Sequence, residues 1–312
     1  MSQNEKIVQE LLVHNAKQSA DFIKSASARK HLVKDHPTKI IVFECMDGRV
    51  NFPLSVELPF GIVSSFRSMG GIFDLGVSRF AKTLNRVVGE ALAEKRHCLL
   101  VVTYHFSKSD VHKGCKGHDY NTEAAKLVSE KFCTELKQTF ASAKNKVYPV
   151  VLGIETDEDR FIISGEDIET LPAAMRKDTD FILGENEKHA DSLPQRTEKE
   201  IQHGENMIAV GLGFDWLHSY NRALIIGPWC HGIDESIATA ASIVLSNLKE
   251  KRITENEGVL LVCGSVLSKK EAQAISEHCV EIIKARVPEV ASCLHVLAGA
   301  TDPKTRKFVP IK

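Results

Sequence analysis

Cys45-Met46-Asp47-Gly48-Arg49 follows directly on the apolar run Lys39–Glu44, KIIVFE. A thiol at the carboxyl end of a buried strand stands where open α/β sheets place their ligands, and as a thiolate it can bind zinc. Asp47 and Arg49 are two residues apart, so the guanidinium can pair with the carboxylate, keep it ionised and set its direction. A turn with a surface ion pair would use the same residues. A second constellation follows the apolar run Cys98–Tyr104, CLLVVTY: His105, His112, Cys115 and His118. One cysteine from each of two strand ends and one histidine make a Cys2His set. That is a catalytic zinc ligand set, with a fourth position open to water.

The elements that must position these residues are legible as periodicity. Lys39–Glu44, Gly61–Phe66, Cys98–Tyr104, Val147–Ile154 and Arg160–Ser164 read as strands. Between them, Ser78–Glu94 presents Phe80, Leu84, Val87 and Ala91 on one helical face, and Asn121 caps a helix with Ala125, Val128, Phe132 and Leu136 in step. A polar helix with an apolar stripe is expected over Glu5–Ala28. Residues near 166–205 are polar and irregular and read as a linker or a loop-rich crossover. Beyond them come strands near Met207–Gly211, Arg222–Gly227, Val259–Cys263 and Cys293–Ala298, a helix over Glu235–Leu248, and another that starts at Ser268 with Glu271 in a capping box. The fold class expected is α/β: a mostly parallel sheet flanked by helices, then a second α/β half of like element order that a degenerate repeat would explain. The division expected is 1–165 for a catalytic domain with an N-terminal helical segment and 166–312 for a C-terminal α/β domain without metal.

Taken together the motifs resemble the β class of carbonic anhydrases. Cys-x-Asp-x-Arg follows one strand as Cys45, Asp47 and Arg49; Arg-x-x-Gly-Gly follows as Arg67-Ser68-Met69-Gly70-Gly71; a His and a Cys follow another strand. The stretch from Val151-Leu152-Gly153-Ile154-Glu155-Thr156-Asp157 through Ser164 is similar to the closing hairpin of that catalytic domain. The long spacing between His and second Cys is most similar to the subclass of carboxysome shells. The resemblance covers residues 35–165 and implies one Zn2+ held by Cys45, Cys115 and a histidine. It implies Asp47 and Arg49 as the catalytic dyad and Gly70 and Gly71 beside the substrate. His112 fits the common His-x-x-Cys spacing; His105 stands at the strand end, where a sheet holds a residue more rigidly, and is preferred. Ser68-Met69 departs from the usual Asn-Ala and Lys116 from the usual Gly, changes that bear on the pocket. The activity implied is reversible hydration of carbon dioxide to bicarbonate. A related zinc hydrolase of another small linear molecule, or a non-catalytic shell or scaffold protein keeping the fold, are the competing readings. The resemblance further implies a second half that has lost its metal, in a homo-oligomer or an internal pseudo-dimer.

Composition excludes other classes. The net charge of −1 favours neither nucleic acid nor an anionic membrane surface. No run of 18 apolar residues suggests a membrane span, and Met1–Glu10 is too polar for a signal peptide, so a cytoplasmic protein, associated with a protein shell if the subclass holds, is expected. The eight cysteines then read as reduced. Cys230-His231 and Cys263 lack an Asp-x-Arg companion and read as buried thiols at strand ends. Gly211-Leu212-Gly213 does not continue into a dinucleotide-binding G-x-G-x-x-G.

Overall fold

A computed structural model of the chain describes residues 3–56, 58–157, 160–163, 171–183, 204–214, 216–217, 222–230, 232–254 and 258–311. The chain forms two compact units. One comprises Ser27–Met46 and Val50–Gln195; the other comprises Met1–Ala26, Asp47–Arg49 and Arg196–Lys312.

The first unit is built on a five-stranded sheet of order β2-β1-β3-β4-β5. Its strands are β1 (Lys39–Cys45), β2 (Ser64–Ser68), β3 (Cys98–Phe106), β4 (Val147–Glu155) and β5 (Arg160–Ile163). All neighbours run parallel except β5, which closes antiparallel on β4. Ile40 through Cys45 are all buried, the unbroken apolar run of a strand covered on both faces. Phe43 is the hub of the core, with the rings of Phe66, Phe73, Phe80 and Phe132 at centroid distances of 5.5, 5.4, 6.1 and 5.2 Å. Phe80 comes from α4 (Ser78–Ala93) and Phe132 from α5 (Thr122–Thr139); each helix buries most of the face its apolar spacing predicts, with Val88 buried in place of Val87 and Ser129 in place of Val128. Asn121 Oδ1 accepts from Ala124 N at 3.0 Å and caps α5. A short helix, Phe52–Ser55, follows β1, and another covers Ala173–Leu183.

The second unit repeats the strand order. Its sheet is β10-β9-β8-β6-β7, from β6 (Met207–Gly211), β7 (Ala223–Ile226), β8 (Val259–Val266), β9 (Leu294–Thr301) and β10 (Phe308–Pro310), with only β10 antiparallel. Its helices are Ile233–Lys249, Lys269–Arg286 and Pro288–Ala291. Ser268 Oγ accepts from Glu271 N at 3.1 Å, the expected cap. Asp47 makes an isolated antiparallel bridge to Leu224, and Gly48 N–H donates to Ala223 O at 2.9 Å. No described helix is long and apolar enough to cross a membrane.

The structure departs from the sequence reading as follows. The single helix expected over Glu5–Ala28 is two, Gln3–Lys24 and Ala26–Asp35. Ser25 bonds back to Asp21 O through its hydroxyl at 2.6 Å, a local bond that competes with helical continuation. The first helix lies in the unit of the second sheet: Asn15 donates to Arg306 O at 3.0 Å and accepts from Phe308 N at 2.7 Å. Ala173–Leu183 is a helix within the stretch read as linker, and its buried Asp178 accepts from Thr38 N at 3.0 Å. The sequence reading also omitted β10, whose three residues are too short to show a period. Ser164, His231 and residues 166–170 and 184–203 of the linker lie outside the described residues.

Candidate metal centre

Cys45 ends β1, His105 lies on β3 one residue from its end, and Cys115 sits in the loop beyond β3. The register sets Phe43 beside Val102, so Cys45 falls level with Tyr104, next to His105. All three side chains are buried, at 6, 2 and 4% exposure, and their ligand atoms lie within 4.8 Å of one another. Cys45 Sγ and Cys115 Sγ are 3.7 Å apart. That is far beyond a disulfide bond of about 2.05 Å and matches the roughly 3.8 Å between two sulfurs on one tetrahedral zinc with bonds of about 2.3 Å. Neither ring nitrogen of His105 has a hydrogen-bond partner among the described residues. A buried imidazole pays for such isolation, and a metal ion beside it would remove the penalty. The donor set and its spacing therefore fit zinc.

The loop that delivers Cys115 is shaped by local bonds. Asp110 accepts from His112 N at 2.9 Å, and Cys115 O accepts from both His118 N and Tyr120 N, at 3.1 and 3.0 Å. Asp119 and Tyr120 then take φ of 50° and 62°, a left-handed turn that non-glycine residues rarely adopt, which returns the chain to α5. Gly70, at φ 67°, lies against this loop. A Cβ on Gly117 would stand 2.5 Å from Gly70 Cα, so Gly117 cannot be replaced without moving the Gly70 turn, and the positive φ of Gly70 strains any other residue there. His118 Nε2 bonds Gly70 O at 2.7 Å. His112 points away: its side chain is 73% exposed and pairs with Asp110 at 3.4 Å. The structure thus brings His105, and not His112, to the two thiols.

Asp47 and Arg49 form the pair their spacing suggests. Arg49 Nη2 donates to Asp47 Oδ2 at 2.6 Å, Nε contacts both oxygens at 3.1 and 3.2 Å, and the Arg49 backbone N–H donates to Oδ1 at 2.9 Å. Both residues are buried.

A sequence profile for the catalytic domain of carboxysome shell carbonic anhydrases matches residues 28–198. The chain belongs to this family. The carboxysome shell carbonic anhydrase of Prochlorococcus marinus subsp. pastoris is 32% identical over 128 residues, covering 37% of this chain and 25% of that protein. The match thus spans about a quarter of that relative's length. Among solved structures, a tagatose-6-phosphate ketose/aldose isomerase from Escherichia coli aligns over 95% of this chain and 81% of its own at 9% identity. Its TM-score is 0.21, and it carries no argument.

In this member of the carboxysome shell carbonic anhydrase family, sequence reasoning missed a second buried ion pair. Glu44, inside β1, meets Arg67 Nη2 at 2.7 Å, and both are almost wholly buried. Arg67 also donates to Cys45 O at 3.1 Å and Val50 O at 2.5 Å, while Glu44 Oε1 accepts from Phe52 N at 3.2 Å. The pair staples the two sides of the turn that carries Cys45. Burial outweighs the nearby guanidinium and pushes the Glu44 carboxyl up to about 7. The signal was present: a Glu in an otherwise apolar strand needs a buried partner.

Proposed function

We propose that this chain is a zinc-dependent carbonic anhydrase that interconverts carbon dioxide and bicarbonate, with Cys45, His105 and Cys115 as its metal ligands. One observation carries the reading: a buried histidine with two partnerless ring nitrogens beside two sulfurs 3.7 Å apart. When bound, zinc supplies Lewis acidity that lowers the pKa of water from about 16 to about 7. Asp47, two residues past Cys45, accepts a hydrogen bond from the reacting water and orients it. Arg49 occupies both Asp47 oxygens, so this carboxylate stays ionised and is kept from becoming a fourth ligand. Gly70 and Gly71, both at positive φ, let the backbone approach the carbon dioxide pocket without side chains. The catalytic domain is then within residues 1–165, of which Met1–Ala26 group with the second sheet, and the C-terminal half carries no metal. A cytoplasmic location, association with a protein shell and assembly into an oligomer belong to the same proposal; the first rests on sequence alone, the second on the relative's name.

The test is metal analysis of the purified chain together with carbon dioxide hydration followed by stopped flow. About one zinc per chain and hydration above the buffer rate are expected. A chain without zinc after gentle purification defeats the ligand assignment; zinc without hydration points to a hydrolase of another substrate or to a scaffold.

A further inference from the structure

Between His105 and Cys115 the chain runs through an exposed segment with no strand or helix longer than three residues. A loop of this length closes freely in many ways, yet Cys115 must arrive within about 4 Å of Cys45 to share a tetrahedral ion. Asp157, two residues beyond the end of β4, gathers the start of this loop. Its Oδ2 accepts from Ser107 Oγ, Lys108 N and Ser109 N, each at 2.9 Å. Its Oδ1 accepts from Ser109 Oγ at 2.8 Å and Ser107 Oγ at 3.1 Å, with Lys113 Nζ at 4.0 Å. Alongside, Glu155 Oε1 accepts from Lys108 N at 3.4 Å and Asp157 N at 3.1 Å, and Thr156 N–H donates to Phe106 O at 2.9 Å. The Glu155 side chain also bonds the Asp157 carboxylate, and the described loop groups bonded to that carboxylate all donate to it. Burial raises its pKa, but the Ser109 and Ser107 bonds dominate and hold it well below the usual carboxylate range.

We infer that Asp157 is a positioning residue for the metal: its carboxylate presets the β3–α5 loop so that Cys115 meets Cys45 and His105 without a folding cost at binding. The inference rests on the zinc reading above. An outer partner of this kind controls how firmly a metal is held. An amide is a poorer replacement: it carries no charge and has one acceptor oxygen, so the bonds from Ser107, Lys108 and Ser109 lose their charge assistance and those to one end must reverse direction.

The experiment loads full-length wild type and Asp157→Asn with zinc and follows metal release to a chromogenic chelator. It then records the thiolate-to-metal absorption band of the cobalt(II)-substituted proteins. Release about tenfold faster in the variant is expected, with a weakened thiolate band. A purely structural role would lower the melting temperature and leave the band and the release rate of the folded protein unchanged; that result overturns the inference. If Asp157→Asn does not fold, the double variant Ser107→Ala/Ser109→Ala decides by the same two measurements, since it keeps the carboxylate and its backbone donors. Wild-type release in that double variant overturns the inference. A wild-type chain that takes up no zinc defeats the zinc reading instead, before either variant is compared.

Discussion

The two sheets share one strand order and one antiparallel closing strand, yet among the described residues only the first brings together Cys and His side chains that could hold a metal ion. The strand ends differ in their side chains: β1 ends on Cys45 and β3 on His105-Phe106, whereas β6 ends on Gly211 and β8 on Ser265-Val266. The second sheet thus offers no thiol or imidazole at these ends. Its own cysteines are spent elsewhere: Cys230 Sγ lies 2.8 Å from Ser236 Oγ, and the Cys263 thiol is held protonated by its bond to Cys279 and by burial. Backbone closure differs too. Gly211, at φ 117°, comes so near β8 that a Cβ there would stand 2.0 Å from Gly264 O. Strand ends in this topology are places for chemistry; the side chains standing on them decide whether any occurs.

The strongest test of that comparison removes a ligand. His105→Ala is expected to lose zinc and lower hydration by more than about 100-fold, the upper range for disturbing an outer partner alone. His112→Ala is expected to keep zinc and most of the rate. Zinc stoichiometry of the two variants, prepared side by side, checks this; about two zinc ions per wild-type chain would instead break the contrast between the sheets. The dyad comes next. Arg49→Ala frees the Asp47 carboxylate, and kcat/KM should fall about 10–100-fold with zinc retained. An unchanged rate would remove Asp47 and Arg49 from the mechanism.

Packing gives a smaller effect. Phe80→Ala opens the aromatic cluster around Phe43 and should cost about 3–5 kcal/mol, whereas Val266→Ala, at a position 39% exposed, should stay within about 0.5 kcal/mol. Urea unfolding measures both. Equal losses would mean that the second sheet's strand end is packed as tightly as the first sheet's core. Below the core loss comes the effect on what the two units share. Asn121→Ala and Ser268→Ala each remove one side-chain cap and should each cost about 1 kcal/mol. A loss at one cap only would show that the matching helices are not equally supported.

Much of this was legible before any coordinates. The apolar runs KIIVFE and CLLVVTY are β1 and β3, the caps Asn121 and Ser268 stand where their spacing put them, and the α/β class follows from the alternation. Elements that depend on distant partners were not legible. The helix Ala173–Leu183 looked like linker because its buried contacts, such as Asp178 to Thr38, join residues far apart in sequence. Glu44 and Arg67 were individually visible, but their pairing needed the β1–β2 register, which sets Glu44 beside Arg67.

The sequence alone determined the residue types and their order: a thiol after each of two strands, an Asp and an Arg two apart, and two glycines where the backbone turns left-handed. Spacing left His105 and His112 both open, with the strand-end position favouring His105. The tertiary structure brings His105 within reach of both thiols. β3 continues past Tyr104 to Phe106, so the sheet holds His105 level with the end of β1, while His112 is left on a surface turn. A ligand on a strand keeps its place through the hydrogen-bonded ladder on either side. Cys115, on a loop, stands between segments tied by Asp157, beyond β4, and by the Gly70 carbonyl, contacts that no local pattern in the sequence announces.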